Sequence, residues 1–596
     1  MKNYLLLSFY FFCGLFMVQT HLIAQKKELP RWGYQPYYGT NRTVPTNPAG
    51  IVTEKGQEIG CSHDELHDRR MATDPDYRSR YVAAQETVYQ IVKQELEDQR
   101  NGKSLKNKNG KGTILERMSS PCLTGGNSNV LTIPVVVHVM HLSGTPIGTN
   151  ENISDAQIQA GIQHLNDAYR NIGAYAGGPY FTNAGIASAD VEIQFCLASR
   201  DPNGNATTGI NRIATSMSNL FSDDIVSGTT TQDDALKALS FWNSNNYMNV
   251  WIVNEICTAS PSTGCGVAGY AYLASAHGAA YDGIVNEARY WGSTTNNSKV
   301  HIHEVGHYLN LSHTFNDPDG TGALTACDNT NCLTQGDFVS DTPPDGDTNA
   351  YNCSSSQTAN SCSTDANDTS PNNPFTTNVQ DIYEDYMDYG YQSCQNTFTP
   401  AQKTRMRAAL LGIRASLLTS EGCIPVTTRE AGITNILNPN GAECASPLAP
   451  IVAVKNYGTA AITSLIISYQ TDGGTINNYN WAGSLAAGST INITLPNITF
   501  ATGNHTFYAY ISDVNGAGAD THANNDNYCV TFINDPVTSF PYCENFESGN
   551  LNNWSIQNPD NGFTWTTKTG LACGHGTAAH LNFYNYATVG QQDRLV

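Results

Sequence analysis

The stretch that decides both the fold and the chemistry is His303-Glu304-Val305-Gly306-His307-Tyr308-Leu309-Asn310-Leu311-Ser312-His313. On a helix, His303 and His307 lie one turn apart on the same face, where two imidazoles can converge on one cation. Glu304 lies beside the first imidazole, close enough to move the proton of an attacking water. This core of the stretch favours a zinc site with hydrolytic chemistry.

A third imidazole, His313, follows six residues after His307. A straight helix would carry it past the site, so the chain must turn sharply at or near Asn310. That turn calls for a left-handed backbone conformation, which Gly adopts most readily and Asn next. The alternative is a chance match to the short HExxH pattern on an ordinary amphipathic helix. The spacing of His313 and the presence of Asn310 favour a zinc protease instead.

Composition narrows the class of protein. The chain has 596 residues, enough for about three or four domains. It carries 52 acidic and 31 basic residues, a formal net charge of −21, which argues against nucleic acid as a partner. Its 16 cysteines suit an exported, oxidising setting. Cys13 lies within residues 1–24, which predict a secretory signal, and its removal leaves an odd number, so at least one thiol is free or pairs outside this chain.

The N-terminus predicts export. Residues 1–24 combine Lys2, an apolar run and a short polar end, which is typical of a cleaved secretory signal rather than a membrane anchor. No later segment is long and apolar enough to predict a membrane span. We therefore expect a protein that is secreted or held at the cell surface.

Residues 25–126 predict a separate N-terminal segment that becomes helical from Asp74-Pro75 onward and closes in a basic linker. Residues 127–425 predict a mixed α/β region. Its expected elements include a strand at 131–139, a helix at 154–169 capped by Ser154, and a helix from Met406 to Leu418.

The C-terminal part changes character. Residues 428–535 contain short alternating strands separated by turn signals, which predict an all-β immunoglobulin-like sandwich. Residues 540–596 resemble the opening strands of a jelly-roll-like module and are too few to close one, so we expect a truncation there. Such β-modules are expected to bind a surface protein or a glycan.

These features resemble the pappalysin family of metzincin zinc proteases. The resemblance spans residues 130–420 and rests on motifs in the family's order: IPVVVHV from Ile133, HEVGHYLNLSHTF from His303, DFVSDTP from Asp337, MDY from Met387, and FTPAQ from Phe398 with Arg405-Met406. It implies an α/β (α+β) catalytic domain of metzincin type. It also implies a zinc-dependent endopeptidase that is made as a zymogen and cleaves extracellular polypeptides.

The resemblance implies that zinc is held by His303, His307 and His313, with one position left open. Three protein ligands are what catalytic zinc requires, because it keeps an open position for water. Glu304 is then the general base and the proton donor to the leaving amine.

The same resemblance implies roles for two residues further along the chain, Met387 and Tyr389. Met387 is implied to lie beneath the metal as an apolar floor, and Tyr389 to stabilise the tetrahedral oxyanion. Ordinary core packing is the alternative for both. The Gly-rich strand at 266–272 is suited to the close approach of a peptide backbone.

The loop containing Asp337, Asp341 and Thr342 offers hard oxygen ligands for calcium. A solvated acidic loop is the alternative. Among the cysteines, a bond between Cys257 and Cys265 would close a short loop beside the Gly-rich strand.

Cys61 precedes the helical part of the N-terminal segment, in surroundings that resemble pappalysin prosegments. There its thiolate would occupy the open zinc position, so that the prosegment inhibits its own enzyme. A structural disulfide, for example with Cys122, is the alternative. Asp64 is a second group that could take over the capping role.

Two other functions are compatible with parts of the sequence. One is an extracellular adhesin in which the β-modules carry the main task, and the other is a zinc amidase that acts on cell-wall peptides. The intact set of three histidines and Glu304 argues against an inactive remnant, and the Gly-rich strand favours an extended polypeptide as substrate.

Overall fold

A mixed sheet of eight strands organises the first part of the chain. The computed structural model describes residues 51–52, 58–61, 63–100, 130–177, 186–219, 231–256, 267–316, 326–346, 359–443, 446–523, 525–534, and short stretches between 551 and 595. The strands are β1 (Ile51–Val52), β2 (Glu58–Cys61), β3 (Leu131–His141), β4 (Ile193–Leu197), β5 (Ile210–Ala214), β6 (Met248–Val253), β7 (Val267–Ala271) and β8 (Ile284–Glu287).

The strands lie in the order β1-β2-β7-β8-β6-β3-β4, and β5 pairs with the second half of β3. Strand β7 is antiparallel to β8, whereas β8, β6, β3 and β4 are parallel to one another. Strand β3 is central and its segment Ile133–Met140 is buried, as expected for a β-branched run covered on both faces. The predicted strand at 131–139 is thus confirmed and extends to His141.

Six helices cover the two faces of the sheet within the described residues: α1 (His63–Thr73), α2 (Pro75–Arg100), α3 (Asp155–Tyr169), α4 (Thr231–Ala238), α5 (Lys299–Tyr308) and α6 (Pro400–Gly412). Helices α3 and α5 share one core with the sheet, through residues such as Ile162 and Ile302. Helices α1 and α4 contribute Leu66 and Leu236 to a second core, which also contains Trp251. The predicted cap of α3 is confirmed, since Ser154 Oγ accepts a hydrogen bond from Gln157 N at 3.1 Å.

The prediction of a helix from Met406 to Leu418 was wrong in its bounds. Helix α6 begins at Pro400, and a separate 3-10 turn covers Ala415–Thr419. Thr399 caps the helix, and its side chain and that of Gln402 satisfy each other's backbone N–H groups. This reciprocal capping sets the start six residues earlier than the apolar spacing indicates.

The N-terminal segment is part of the fold rather than a detached unit. Strand β2 joins the sheet beside β7, and an additional helix, α1, precedes the one expected from Asp74-Pro75. Helix α2 buries Val88 and Val92 against Ala408 and Ala409 of α6. The segment therefore covers the peptidase region from the sheet edge to α6.

Two further sheets face each other across a common core after residue 430. One has the order β10-β16-β15-β12-β13 and the other β14-β11-β9. Their strands are β9 (Ala431–Asn438), β10 (Gly441–Glu443), β11 (Ile451–Asn456), β12 (Ile462–Thr471), β13 (Asn477–Leu485), β14 (Thr490–Thr494), β15 (Gly503–Val514) and β16 (Asn527–Asn534). Beyond residue 551 the structure describes two short antiparallel pairs. The predicted sandwich region is thus built of two packed sheets.

Disulfides close the peptidase region. Cys196 of β4 bonds with Cys423 near the region's end, and Cys327 bonds with Cys362 within the long loop. The predicted signal at 1–24 and the predicted Cys257–Cys265 bond lie outside the described residues. Within the described part, no helix has the length and hydropathy needed to cross a membrane.

Candidate active site

Helix α5 carries the first two imidazoles, and every residue from Lys299 to Tyr308 is buried. The helix ends in a tight turn in which Leu311 N donates to Gly306 O at 2.9 Å. Asn310 has φ of 74°, so the predicted left-handed turn is confirmed. The turn brings His313 back towards α5.

The Nε2 atoms of His303, His307 and His313 lie 3.1–3.2 Å from one another. Tetrahedral coordination at the usual Zn–N distance of about 2.0–2.1 Å places nitrogen ligands about 3.3–3.4 Å apart. With Cys61 they form the only cluster within the described residues in which at least three His, Cys, Asp or Glu side chains could hold a metal ion. The donor set therefore fits a single transition-metal ion.

Each imidazole is fixed through its other nitrogen. His303 Nδ1 donates to Tyr386 O at 2.6 Å, and His307 Nδ1 donates to Leu311 O at 2.8 Å. His313 Nδ1 donates to the Asp64 carboxylate at 3.0 Å. These bonds place the protons on Nδ1 and leave the Nε2 lone pairs directed at one point.

Burial favours the neutral forms of four side chains at the site when no cation is bound. It lowers the pKa of His303 to about 3 and that of His307 well below its usual value, so both rings carry free lone pairs at neutral pH. Burial also raises the pKa of Glu304 and of the Cys61 thiol. A dication favours the ionised forms of both acids, so its binding would release protons.

Glu304 lies against strand β7. Its carboxylate accepts a hydrogen bond from the Cys61 thiol at 3.3 Å. A side chain on Gly269 of β7 would come within 2.9 Å of the Glu304 side chain. Glycine at this position therefore permits the strand to approach the carboxylate, which explains the Gly-rich composition noted in the sequence.

Met387 lies against α5 at Gly306, and its role as an apolar floor beneath the metal stays a prediction. It is fully buried, and a Cβ built on Gly306 would meet its sulfur at 2.3 Å. Its own N–H donates to Asp385, and its carbonyl accepts from Thr314 next to His313. These contacts tie Met387 to the segment that carries the third imidazole.

Tyr389 is buried beside the site. Its ring centroid lies 5.0 Å from that of His313 and 6.1 Å from that of His303. The phenolic hydroxyl donates to the backbone carbonyl of Cys61 at 3.4 Å. The hydroxyl is therefore within the site and contacts the N-terminal segment.

The two carboxylates of the loop suggested for calcium have different hydrogen-bond partners. Asp337 accepts from the Thr342 hydroxyl at 2.8 Å. Asp341 instead accepts from Ala401 N at 2.9 Å and from the Thr399 hydroxyl, at the start of α6. Calcium binding by Asp337, Asp341 and Thr342 stays a prediction.

Two other buried histidines take no part in the cluster. His301 Nε2 bonds with Gly161 O at 3.2 Å on another side of α5. His138 Nε2 bonds with Asn249 at 2.9 Å within the sheet. Both are core side chains with polar partners.

The sequence indicated neither the role of His63 nor the full role of Asp64. The His63 ring stacks on that of His307, with centroids 4.1 Å apart, and its Nδ1 donates to Ala271 O at 2.7 Å. Asp64 holds the third imidazole rather than approaching the point where the Nε2 atoms converge. The only feature of the sequence that could have indicated these roles is that both residues lie within three positions of Cys61.

A family model described as pregnancy-associated plasma protein-A matches residues 230–411. An extracellular metalloprotease of Arthroderma otae is 26% identical over 294 residues, which cover 48% of this chain and 80% of the relative. A second, from Pyricularia oryzae, is 28% identical over 311 residues, 51% of this chain and 80% of the relative.

Solved structures include mirolysin in complex with a compound, 30% identical, with 48% of this chain and 96% of that chain covered and a TM-score of 0.36. A mutant of promirolysin from Tannerella forsythia is 26% identical, with 60% and 97% covered and a TM-score of 0.39. The family match contains the HExxH helix, the acidic loop and the methionine turn that were identified in the sequence. The chain belongs to the pappalysin family of metalloproteases.

Proposed function

We propose that this secreted metalloendopeptidase uses one zinc ion, held by His303, His307 and His313, to hydrolyse peptide bonds of extracellular proteins. The observation that carries the proposal is the convergence of three Nε2 atoms, each with its Nδ1 proton engaged elsewhere, beside the buried Glu304. Zinc suits three nitrogen ligands and a fourth exchangeable position. When bound, it polarises a carbonyl and makes water more acidic.

Glu304 is the proposed general base. Its buried carboxylate accepts the proton of the attacking water and passes it to the leaving amine. Tyr389 is proposed to donate its hydroxyl to the developing oxyanion, since the ring lies against two of the imidazoles. Gly269 leaves room for the Glu304 side chain against β7, the strand along which the substrate backbone is proposed to pair.

The N-terminal segment is proposed to inhibit the enzyme in two ways. Cys61 Sγ lies in the cluster formed with the three Nε2 atoms, which suits a thiolate at the fourth metal position. The backbone of β2 pairs with β7, so that Cys61 stands opposite Gly269. The segment thus occupies both the metal position and the strand edge that an extended substrate needs.

The Cys61 role predicts that Cys61→Ala raises the activity of the uncut precursor above that of the native precursor. The thiol is then missing from the metal, although β2 still covers part of the edge. The measurement is peptide hydrolysis by precursor whose intact mass is verified throughout the assay. Cys332→Ala is the matched control, because Cys332 is also a buried free thiol among the described residues and lies outside the cluster.

An uncut Cys61→Ala precursor with the background activity of the native precursor would refute the thiol's role. Repeating the assay with Asp64→Asn added then tests whether the carboxylate beside His313 maintains latency instead.

Two packed sheets after residue 430 support an immunoglobulin-like sandwich, for which we propose binding to a surface protein or a glycan. The domain limits expected from the sequence stay proposals. The adhesin and the amidase are not favoured as the main function, because curated relatives of the peptidase region are named extracellular metalloproteases.

The function is tested on precursor activated by limited proteolysis of the linker between α2 and β3. The activated protein is incubated with denatured casein, with and without a zinc chelator, and the products are mapped by mass spectrometry. We expect internal cleavage that the chelator abolishes. Cleavage unaffected by the chelator, or no cleavage of denatured proteins at all, would refute the proposal.

A further inference from the structure

A buried lysine begins the helix that carries the first two imidazoles. Lys299 is the first residue of α5 and is 4% exposed. Its Nζ donates to the backbone carbonyl of Gln392 at 2.5 Å, and among the described residues no acidic side chain pairs with it. Burial lowers the pKa of Lys299 to about 8, so the ammonium group is mostly charged at neutral pH. A buried charge without a counter-ion is costly, and an anion at this place would be stabilised.

The surroundings of Lys299 add to the positive potential instead of compensating for it. The first turn of α5 contains no acidic residue, and Ser298 makes no side-chain cap hydrogen bond. The N-terminal end of a helix carries a partial positive charge, so a lysine there is unfavourable unless an anion is near. The facing loop, residues 389–395, has no acid either. Asp388, which precedes the loop, accepts from the Thr314 hydroxyl at 2.7 Å, next to the third imidazole.

A second donor without a partner belongs to the residue that Lys299 contacts. The Gln392 side chain is 2% exposed, and its Nε2 has no hydrogen-bond partner within the part of the chain that the structure describes. An ammonium group has three N–H donors and a primary amide has two, so several donors remain unused here. A carboxylate only accepts hydrogen bonds, and it forms its strongest ones with charged donors.

The lysine lies on the side of α5 that faces the proposed reaction centre. It precedes His303 by four residues, so the two side chains leave the helix on the same face, with Cβ atoms about 5–6 Å apart. Two contacts show that the segment after Met387 runs beside this face. The ring centroids of Tyr389 and His303 are 6.1 Å apart, and three residues later Gln392 accepts from the lysine. Lys299 therefore lies one helical turn from a metal ligand.

The N-terminal segment covers this end of α5 in the precursor. Val300, the residue after the lysine, packs in one apolar cluster with Cys61 and Tyr389. Removal of the segment therefore uncovers part of the first turn of α5. Successive residues of an extended peptide are about 3.3 Å apart, and one helical turn is about 5.4 Å long. A substrate side chain within two residues of the scissile bond can thus reach the lysine.

We propose that Lys299 forms a subsite for the carboxylate of an aspartate or glutamate side chain of the polypeptide substrate, close to the bond that is cleaved. This inference rests on the proposed peptidase function and adds a substrate preference to it. The charge of the lysine supplies the attraction, and Nε2 of Gln392 is a further donor at the same place. The alternative is that Lys299 only fixes the loop through the Gln392 carbonyl.

The test uses peptides of one uncharged sequence, blocked at both ends, in which glutamate or glutamine is placed at each position in turn. Mass spectrometry maps the cleaved bond. We expect glutamate to raise kcat/KM of the activated protein about ten-fold over glutamine at one position near that bond, because a charged hydrogen bond is stronger than a neutral one by about that factor. Lys299→Met, which keeps the length of the side chain but not its charge, should bring this ratio close to one. If Lys299 only fixed the loop, its loss would lower both rates and leave the ratio unchanged.

Lys403→Met is the matched control. Lys403 lies on α6, pairs with Glu192 at 3.0 Å and has 27% of its side chain exposed, so its loss should leave the ratio as it is in the native protein. Equal cleavage of the paired peptides by the native protein, or a ratio that survives in Lys299→Met, would overturn the subsite and leave the peptidase function standing. The first of these outcomes needs no variant, so the test does not depend on how well Lys299→Met folds.

Binding provides a readout independent of catalysis. Activated Glu304→Gln protein is titrated by calorimetry with the same pairs of peptides. We expect one glutamate peptide to bind about ten-fold more tightly than its glutamine partner, and addition of Lys299→Met to remove the difference. If the native protein cleaves none of the peptides, the peptidase function fails, and a lysine-dependent difference in binding still supports a carboxylate site. Equal binding of every pair overturns that site as well.

Discussion

Replacing Glu304 with glutamine is expected to lower kcat/KM for peptide hydrolysis by about 10²–10⁴-fold, the usual contribution of general acid–base catalysis. The amide has nearly the same shape as the carboxylate but cannot accept the proton of the attacking water. Glu304 supplies no ligand in the three-nitrogen set, so the bound metal should remain. The measurement combines steady-state kinetics of the activated protein with its metal content by mass spectrometry.

Glu421→Gln is the matched control for this substitution. Glu421 pairs with Lys455 and its side chain is 39% exposed, so its loss should leave catalysis unchanged. If Glu304→Gln hydrolysed peptides at the native rate, Glu304 would not be the base. If it lost its metal as well, the carboxylate would have a structural role that the three-imidazole site does not require.

Removal of Asp282 should destabilise the peptidase region by about 3–5 kcal/mol, because it leaves a buried guanidinium without its counter-ion. Asp282 and Arg414 are both fully buried, and the two oxygens accept from Arg414 at 2.6 and 2.9 Å. Arg414 also donates to Tyr308 O, the last residue of α5, at 2.8 Å. Denaturant unfolding of Asp282→Ala, followed by the fluorescence of buried Trp251 and Trp291, measures the loss.

Asp155→Ala is the control for the Asp282 substitution, since Asp155 pairs with Arg212 while 58% of its side chain is exposed. An exposed pair contributes about 0–1 kcal/mol. Equal unfolding midpoints for Asp282→Ala and Asp155→Ala would contradict the structural importance of the buried pair.

The same pair predicts a loss of stability in acid. Burial acts to raise the pKa of Asp282, but Arg414 and His277 outweigh it and hold that pKa below its ordinary value. The depressed pKa means that this contribution is fully present above the unfolded value of about 3.9 and is lost as the pH falls through the lower folded value. The Asp282→Ala protein should therefore show a weaker decline of unfolding free energy below about pH 4 than the native protein.

The site could be predicted from the sequence where the chemistry is local. The interval from His303 to His307 is one helical turn, and the conformation of Asn310 follows from the need to bring His313 back. The strand at β3 and the cap at Ser154 are equally local signals. In each case the residues that interact lie within about ten positions of one another.

Long-range contacts could not be predicted from the sequence, because the residues that form them lie far apart along the chain. Asp64 meets His313 across 249 positions, and Arg70 meets Asp234 across 164. Neither residue type is unusual on a helix, and nothing in their spacing distinguishes a buried contact from a solvated face. The start of α6 was missed although its signal is local, because the apolar spacing from Met406 outweighed the Thr399-Pro400 cap in the prediction.

We propose that peptide hydrolysis depends on a zinc ion held by the three imidazoles. The most direct measurement removes metal from the activated protein with a chelator, returns the protein to metal-free buffer, and follows peptide hydrolysis as zinc is added. We expect no peptide hydrolysis by the metal-free protein. The hydrolysis rate should recover fully at about one zinc ion per chain, the number that one three-imidazole site holds. Hydrolysis at the native rate without metal, or no recovery on adding zinc to protein that is still folded, would contradict it.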